Sequence, residues 1–148
     1  MTNILFVGNG PTVLQKKLGN LVDTYDVVVR FNNFKIEGYE EYVGTKTDWV
    51  CYRACDDVKL VKPDTISKAY LFITYCKWIN GMKRVAKMQK AWFGDKGEII
   101  DELVCFEIAR QMGLKNDMTE WPSVGSLALG YFYHLSNVNL NTYGFGGD

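Results

Sequence analysis

Four short segments hold residue types and spacings that can do chemistry. Gly8-Asn9-Gly10-Pro11 follows an apolar run, and glycines let a backbone approach a phosphate while the start of a following helix offers unpaired N–H groups to an anion. The segment lacks the third glycine of a dinucleotide fingerprint and the Gly-Lys-Ser/Thr of a P-loop, so a plain strand-to-helix turn explains it equally well. Pro122-Ser123 is a second helix start, with Ser123 placed to cap the helix and to face an anion. Lys83, Lys87 and Lys90 recur at i, i+4 and i+7 with Arg84 alongside, and Tyr70, Phe72, Tyr75, Trp78, Trp92 and Phe93 are interleaved. Lysines among aromatics suit a phosphate backbone plus a base or sugar face; a solvated helix face over core aromatics is the alternative. Carboxylates at strand ends, Asp56, Asp57 and Asp148, are the candidates for accepting a proton. Cys51 and Cys55 form a C-x3-C with no second cysteine pair, and His134 is the only histidine, so no metal site is expected.

The elements that must position these residues alternate along the chain. Ile4–Val7, Val27–Phe31, Trp49–Tyr52, Ala69–Thr74 and Leu140–Phe145 are short β-former runs that predict strands. Helices are predicted over about Thr12–Val22, Asn80–Ala91, Glu98–Met112 (ending at Gly113) and Ser123–Leu135. This alternation predicts an α/β fold, a single Rossmann-like domain over 1–148 with a mainly parallel sheet. In such sheets ligands gather outside the carboxyl ends of the strands. The loops there are Gly8–Pro11, Asn32–Asn33, Arg53–Asp57, Tyr75–Trp78 and Gly146–Asp148.

At 148 residues with 47% hydrophobic and 23% charged, the chain has room for one sizeable core and not for two. No apolar run reaches the roughly 20 residues of a spanning helix, so no membrane contact is expected. The opening MTNILFVGNG has no basic n-region, so secretion is not expected, and Cys51, Cys55, Cys76 and Cys105 are read as reduced thiols. The formal net charge of zero hides a pattern: −2 over 1–57 (six Lys/Arg, eight Asp/Glu), +7 over 58–96 (nine, two) and −5 over 97–148 (two, seven). A strongly basic middle third on a neutral protein points to a polyanion, and duplex DNA is the expected partner of the 58–96 segment.

Longer patterns carry more. Gly8-Asn9-Gly10, then Asp23-x-x-Asp26-Val27-Val28-Val29-Arg30-Phe31-Asn32, Gly38-Tyr39-Glu40 and Val43-Gly44-Thr45-Lys46-Thr47 resemble, in order, the large sialylmotif of the family 29 glycosyltransferases, the sialyltransferases. Trp121-Pro122-Ser123-Val124-Gly125-Ser126-Leu127-Ala128-Leu129, with His134-Leu135 and Tyr143-Gly144-Phe145-Gly146, resembles their small sialylmotif. The resemblance implies a variant GT-A fold that inverts the transferred sugar without a metal or other cofactor, a nucleotide sugar being the co-substrate. It implies donor contacts at Gly8, Asn9, Gly10 and Asn32, and at Ser123, Val124 and Gly125. It also implies departures. The family's paired cysteines fall at Ile4 and Ser136, which fits a reducing, cytoplasmic setting, and Val124 stands where the family has threonine. The family's catalytic histidine lies in a motif past the Gly-Phe-Gly segment, and the sequence runs to Asp148. His134, inside the small-motif segment, is read as structural. The base is therefore expected to be a carboxylate, Asp148 first and Asp57 second.

The resulting expectation is a glycosyltransferase moving a sugar from a CMP- or UDP-linked donor to a hydroxyl. The expected acceptor is hydroxymethylated cytosine in phage DNA inside a bacterial host, gripped by Lys83, Arg84, Lys87 and Lys90. Two alternatives stand beside it: a sialyltransferase-like enzyme acting on an intracellular glycan precursor, and a nucleotide-binding protein without turnover. A dinucleotide-dependent Rossmann enzyme explains fewer residues.

Overall fold

A computed structural model describes residues 1–74, 76–117 and 119–145. Among these residues six strands, β1 (Thr2–Val7), β2 (Val27–Phe31), β3 (Trp49–Arg53), β4 (Lys68–Phe72), β5 (Gly97–Ile100) and β6 (Val138–Tyr143), form one sheet. Its order is β5-β4-β3-β2-β1-β6, and every neighbouring pair is parallel. Strands buried on both faces read as continuous apolar runs, and the central ones do: Ile4 and Phe6 enter one core, Leu5 and Val7 the other. From β1 the chain steps outward through β2, β3, β4 and β5, then returns across the sheet to place β6 on the other side of β1. The direction therefore reverses between β1 and β6, and the crevice above a reversal is where ligands settle in open α/β sheets.

Among the described residues five α-helices flank the sheet: α1 (Gly19–Val22), α2 (Glu40–Val43), α3 (Ile79–Phe93), α4 (Glu102–Gln111) and α5 (Val124–Phe132). Cys105 and Ile108 of α4 and Val124, Leu127, Ala128 and Phe132 of α5 pack on the face made by Ile4, Phe6, Val29, Phe31, Cys51, Tyr70 and Phe72. Phe132 is the centre of this layer, with ring centroids 5.7 Å from Phe6, 5.6 Å from Trp49 and 4.8 Å from Tyr70. Truncating such a ring typically costs about 3–5 kcal/mol. On the opposite face, Phe93 at the end of α3 stacks on Tyr52 at 6.0 Å.

Two predicted helices are corrected. The segment Thr12–Val22 is not one helix but a 3-10 turn, Pro11–Leu14, and the short α1. Gly19 is pressed so closely on α2 that a side chain there would run into the Glu40 and Glu41 backbone, and this contact sets the course of the chain in place of a continuous helix. The predicted helix Glu98–Met112 begins instead as edge strand β5, paired with Ala69–Phe72. The Asp101 carboxylate then accepts from the N–H groups of Leu103 and Val104, both at 3.0 Å, and starts α4 there. The amphipathic pattern of α4 hid a four-residue strand directly before it. The remaining boundaries move by a few residues, and α2 has no predicted counterpart. The four cysteines are free thiols; burial pushes those of Cys51 and Cys105 up, the latter to about 12.

Candidate functional site

The first glycine loop sits at the β1–β6 reversal and is joined to the end of β6. Gly8 N–H donates to the Tyr143 carbonyl at 2.7 Å and Gly10 N–H to the Gly144 carbonyl at 2.8 Å. A side-chain carbon on Gly8 would lie 2.5 Å from the Gly144 carbonyl oxygen, so only glycine permits this approach. Because the turn after Pro11 is four residues long, the loop has no long helix behind it, and the dipole expected there is lost. Side chains provide the polarity instead. A cleft of about 310 Å3 opens beside the loop, lined by Gly8, Asn9, Gly10 and Pro11 and closed on the far side by Asn33, Lys35 and Tyr39. Lys35 is the cation of this cleft. Sequence reasoning passed it over because the count of positive charge drew attention to 58–96.

The two asparagines implied by the resemblance are both bracing residues, and of the two Asn9 lines the cleft. The Asn9 amide donates to the Phe31 carbonyl at 2.8 Å, fixing the β1 loop to the end of β2. Asn32, left-handed at φ 47°, accepts on its side-chain oxygen from Arg53 N–H at 2.9 Å and thereby ties β2 to β3. Asn33 continues the bracing: its amide donates to the Asp57 carbonyl at 3.0 Å and accepts from Lys59 N–H at 2.7 Å.

The second loop arrives at the same edge. Ser123, itself exposed, caps α5, its hydroxyl accepting from Ser126 N–H at 3.2 Å. Val124 turns its side chain into the core, so what it offers a donor is its backbone N–H. Gly125 lies against Phe145: a side-chain carbon there would fall 2.5 Å from the ring. The same ring lies 3.2 Å from the corresponding point on Gly8 and packs edge-on to Phe31 at 5.6 Å. Phe145 therefore joins the β1 loop, the end of β2 and the start of α5. Phe145 belongs to the Tyr143-Gly144-Phe145 segment of the sequence pattern, and its bridging role arises from neighbours that the fold brings together.

Much of the large motif performs a different task. The Asp23 carboxylate accepts from Thr45 N–H and Lys46 N–H, each at 2.9 Å, and from the Thr45 hydroxyl at 3.0 Å. Burial alone would push this carboxyl up, but those donors and the nearby Arg30 charge outweigh it and hold it below the ordinary carboxylate range. Arg30, 1% exposed, donates to the Val43 carbonyl at 2.8 Å, the Lys46 carbonyl at 2.7 Å and the Thr47 hydroxyl at 2.9 Å. Burial pulls its guanidinium down to about 10, with the Asp23 charge opposing, so it remains charged at neutral pH. Asp23, Arg30 and Gly44–Thr47 are a structural knot under β2.

The remaining candidates scatter. Asp57 is exposed after β3, with its carbonyl held by Asn33, and Asp148 lies outside the described residues. His134 is exposed beyond the far end of α5 against Tyr133, about 13 Å of helix away from Ser123. The lysine row is only partly available: Lys83 is ion-paired with Glu102 at 2.7 Å and Lys90 donates to the Gly94 carbonyl at 2.6 Å. Of the interleaved aromatics, Tyr70, Phe72 and Phe93 are core, whereas Trp78 and Trp92 are exposed; Tyr75 lies outside the described residues. Among the described residues no group of three or more His, Cys, Asp or Glu side chains is arranged to hold a metal ion.

The chain is similar to known proteins in sequence and in fold. Residues 5–56 match the model of glycosyltransferase family 29 (sialyltransferase). The type 2 lactosamine alpha-2,3-sialyltransferase of Rattus norvegicus is 49% identical over 90% of this chain and 47% of its own length, and the Mus musculus protein of that name is 28% identical with the same coverage. The human CMP-N-acetylneuraminate-beta-1,4-galactoside alpha-2,3-sialyltransferase is 46% identical over 29% of this chain. A crystal structure of a mammalian sialyltransferase in complex with Gal-beta-1-3GalNAc-ortho-nitrophenol superposes with a TM-score of 0.70 over 99% of this chain and 56% of that one, at 20% identity. The chain spans about half the length of the curated relatives it matches. The chain is thus similar to glycosyltransferase family 29 over residues 5–56 and to sialyltransferases over most of its length, and it has the GT-A-like α/β fold that the resemblance implied.

Proposed function

We propose that this chain forms the donor side of a sialyltransferase-type glycosyltransferase, taking a CMP-activated sugar and passing the sugar to a hydroxyl on a glycan. One observation carries the reading. Two loops from opposite ends of the sequence meet across Phe145 above the β1–β6 reversal, and the Lys35 cleft opens beside the first of them. The phosphate of a nucleotide monophosphate suits that combination of a helix start and one cation. In the reaction the acceptor oxygen bonds to the anomeric carbon as the bond to the phosphate breaks on the opposite face. The departing phosphate keeps the bond's electron pair, and the α5 start and Lys35 meet its charge. Asp57 or Asp148 takes the acceptor's proton. A UDP-linked donor remains the alternative that Val124 motivates.

The glycan acceptor replaces hydroxymethylated cytosine because the relatives described above are named for sialyl transfer and because Lys83 and Lys90 are engaged within the fold. A thermal-shift panel of CMP, UDP, GDP and NAD tests the donor class; stabilisation by CMP above the others is expected. Equal response to all four, or to NAD alone, contradicts the reading. Transfer from CMP-sialic acid to a galactose-terminated glycan, with hydroxymethylated duplex DNA as the competing acceptor, tests the rest. In that assay Asp57→Asn and Asp148→Asn separate the two candidate bases, since only the true base loses turnover while nucleotide binding persists.

A further inference from the structure

The sheet ends in two edge strands of different character, β5 and β6. We propose that β6 is a self-association surface, pairing antiparallel with β6 of a second copy of this chain so that two six-stranded sheets become one. The pairing does not depend on what the donor cleft binds.

Backbone pairing identifies what β6 leaves open. Thr2 N–H donates to the Asn137 carbonyl at 2.8 Å and Gly8 N–H to the Tyr143 carbonyl at 2.7 Å, at the two ends of the β1–β6 pair. Parallel partners are bonded through every second residue, so Asn139 and Asn141 continue this series toward β1. The N–H and C=O groups of Val138, Leu140 and Thr142 therefore point away from the sheet, with no strand beyond them among the described residues. Natural edges are blunted by charge, proline, bulges or shortness. β5 follows that rule: it has four residues, begins at Gly97 and carries the exposed Glu98, with Lys68, Asp95 and Lys96 around it. β6 has six residues, Val-Asn-Leu-Asn-Thr-Tyr, without a charge or a proline, and its register with β1 is unbroken.

A second copy fits because the strand is complementary to itself. With a two-fold axis through Leu140, that residue faces its own counterpart and Val138 faces Thr142 of the other copy. These are the residues whose backbone groups point outward, so all three pairs fall on the hydrogen-bonded positions of an antiparallel ladder. Every outward group of β6 is then satisfied. Asn139 and Asn141 face each other at the non-bonded positions between, where side chains lie closest. The Asn139 amide already donates to Asn3 on β1 at 3.2 Å, so the new pairs extend an existing amide row. A slip of one residue sets each outward group against one that β1 already uses, and a slip of two loses a bonded pair. Because the strands run in opposite directions, the two glycine loops lie at opposite ends of the joined sheet.

Sedimentation velocity from micromolar to several hundred micromolar protein tests this. The wild type is expected to pass from monomer to dimer as concentration rises. Asn139→Lys with Asn141→Lys sets lysine against lysine twice across the axis and should raise the dissociation constant roughly tenfold or more. Asn139→Asp with Asn141→Lys sets opposite charges at the same places; it should keep the dimer at low salt and lose it as salt is added. Thr142→Pro removes an outward N–H, spares the bonds to β1 and should also raise the dissociation constant roughly tenfold or more. Circular dichroism melting establishes folding, and the two charge variants keep the test decisive if Thr142→Pro unfolds. A wild type that stays monomeric overturns the proposal, as do assemblies larger than two, equal dissociation constants in the two charge variants, or an unchanged dimer in folded Thr142→Pro.

Discussion

Replacing Asp23 by alanine separates structure from donor chemistry within the large motif. The substitution deletes three hydrogen bonds to an ionised carboxylate, from Thr45 N–H, Lys46 N–H and the Thr45 hydroxyl. Bonds to charged groups are worth about 1.5–3 kcal/mol each, but this carboxylate is only half-buried, and water that replaces it brings the three together to about 3 kcal/mol. Arg30 loses a nearby negative charge but keeps its Val43, Lys46 and Thr47 acceptors, so the total stays at about 3 kcal/mol. For a chain of this size each kcal/mol lowers the melting temperature by about 2–4 °C, so a fall of roughly 6–12 °C is expected at pH 7. Because the Asp23 carboxyl is held below its unfolded range, its contribution is complete above the unfolded pKa and disappears as pH falls through the folded one. The gap between wild type and variant should therefore close in strong acid. Below its melting temperature the variant should bind CMP as the wild type does. A melting temperature within about 2 °C of wild type, or a folded variant blind to CMP, refutes this division of labour.

Ser123→Asp keeps the cap of α5 but adds a negative charge where the donor phosphate is placed, so stability should stay near wild type while the CMP shift disappears; Ser123→Ala should instead cost about 1 kcal/mol of stability. Gly125→Ala forces the Phe145 ring aside and is expected to cost about 1–3 kcal/mol and to weaken nucleotide binding, checked by melting and by CMP titration. Lys35→Ala should leave the melting curve nearly unchanged and reduce CMP affinity a few-fold, by a margin that shrinks with added salt.

The apolar runs of the sequence were enough to place five of the six strands, because a parallel sheet buried on both faces leaves its trace in consecutive Val, Ile and Phe. The missing one, β5, is a four-residue edge strand with an amphipathic helix directly after it, and local pattern alone does not divide Glu98–Ile100 from that helix. The split at Thr12–Val22 depends on a contact between Gly19 and α2, remote in sequence and so invisible to periodicity. At the candidate site, Asn9 and Asn32 were singled out by the resemblance, whereas the Gly8–Pro11 loop and the Ser123 helix start were legible from their types and spacing. Phe145 and Lys35 were not, since each matters through neighbours that only the fold brings near. Lys83 and Lys90 show the converse: their spacing suggested an open basic face, but Glu102 and the Gly94 carbonyl engage two of its cations.

The central claim is that the two loops joined by Phe145 form one nucleotide site. Titrating CMP into isotopically labelled protein and following the backbone amides by NMR tests it most directly. Shifts confined to Gly8–Gly10, Asn32–Lys35 and Val124–Gly125, saturating together with a single dissociation constant, are what the account predicts. Shifts in only one of the two loops, or centred elsewhere on the sheet, would contradict it.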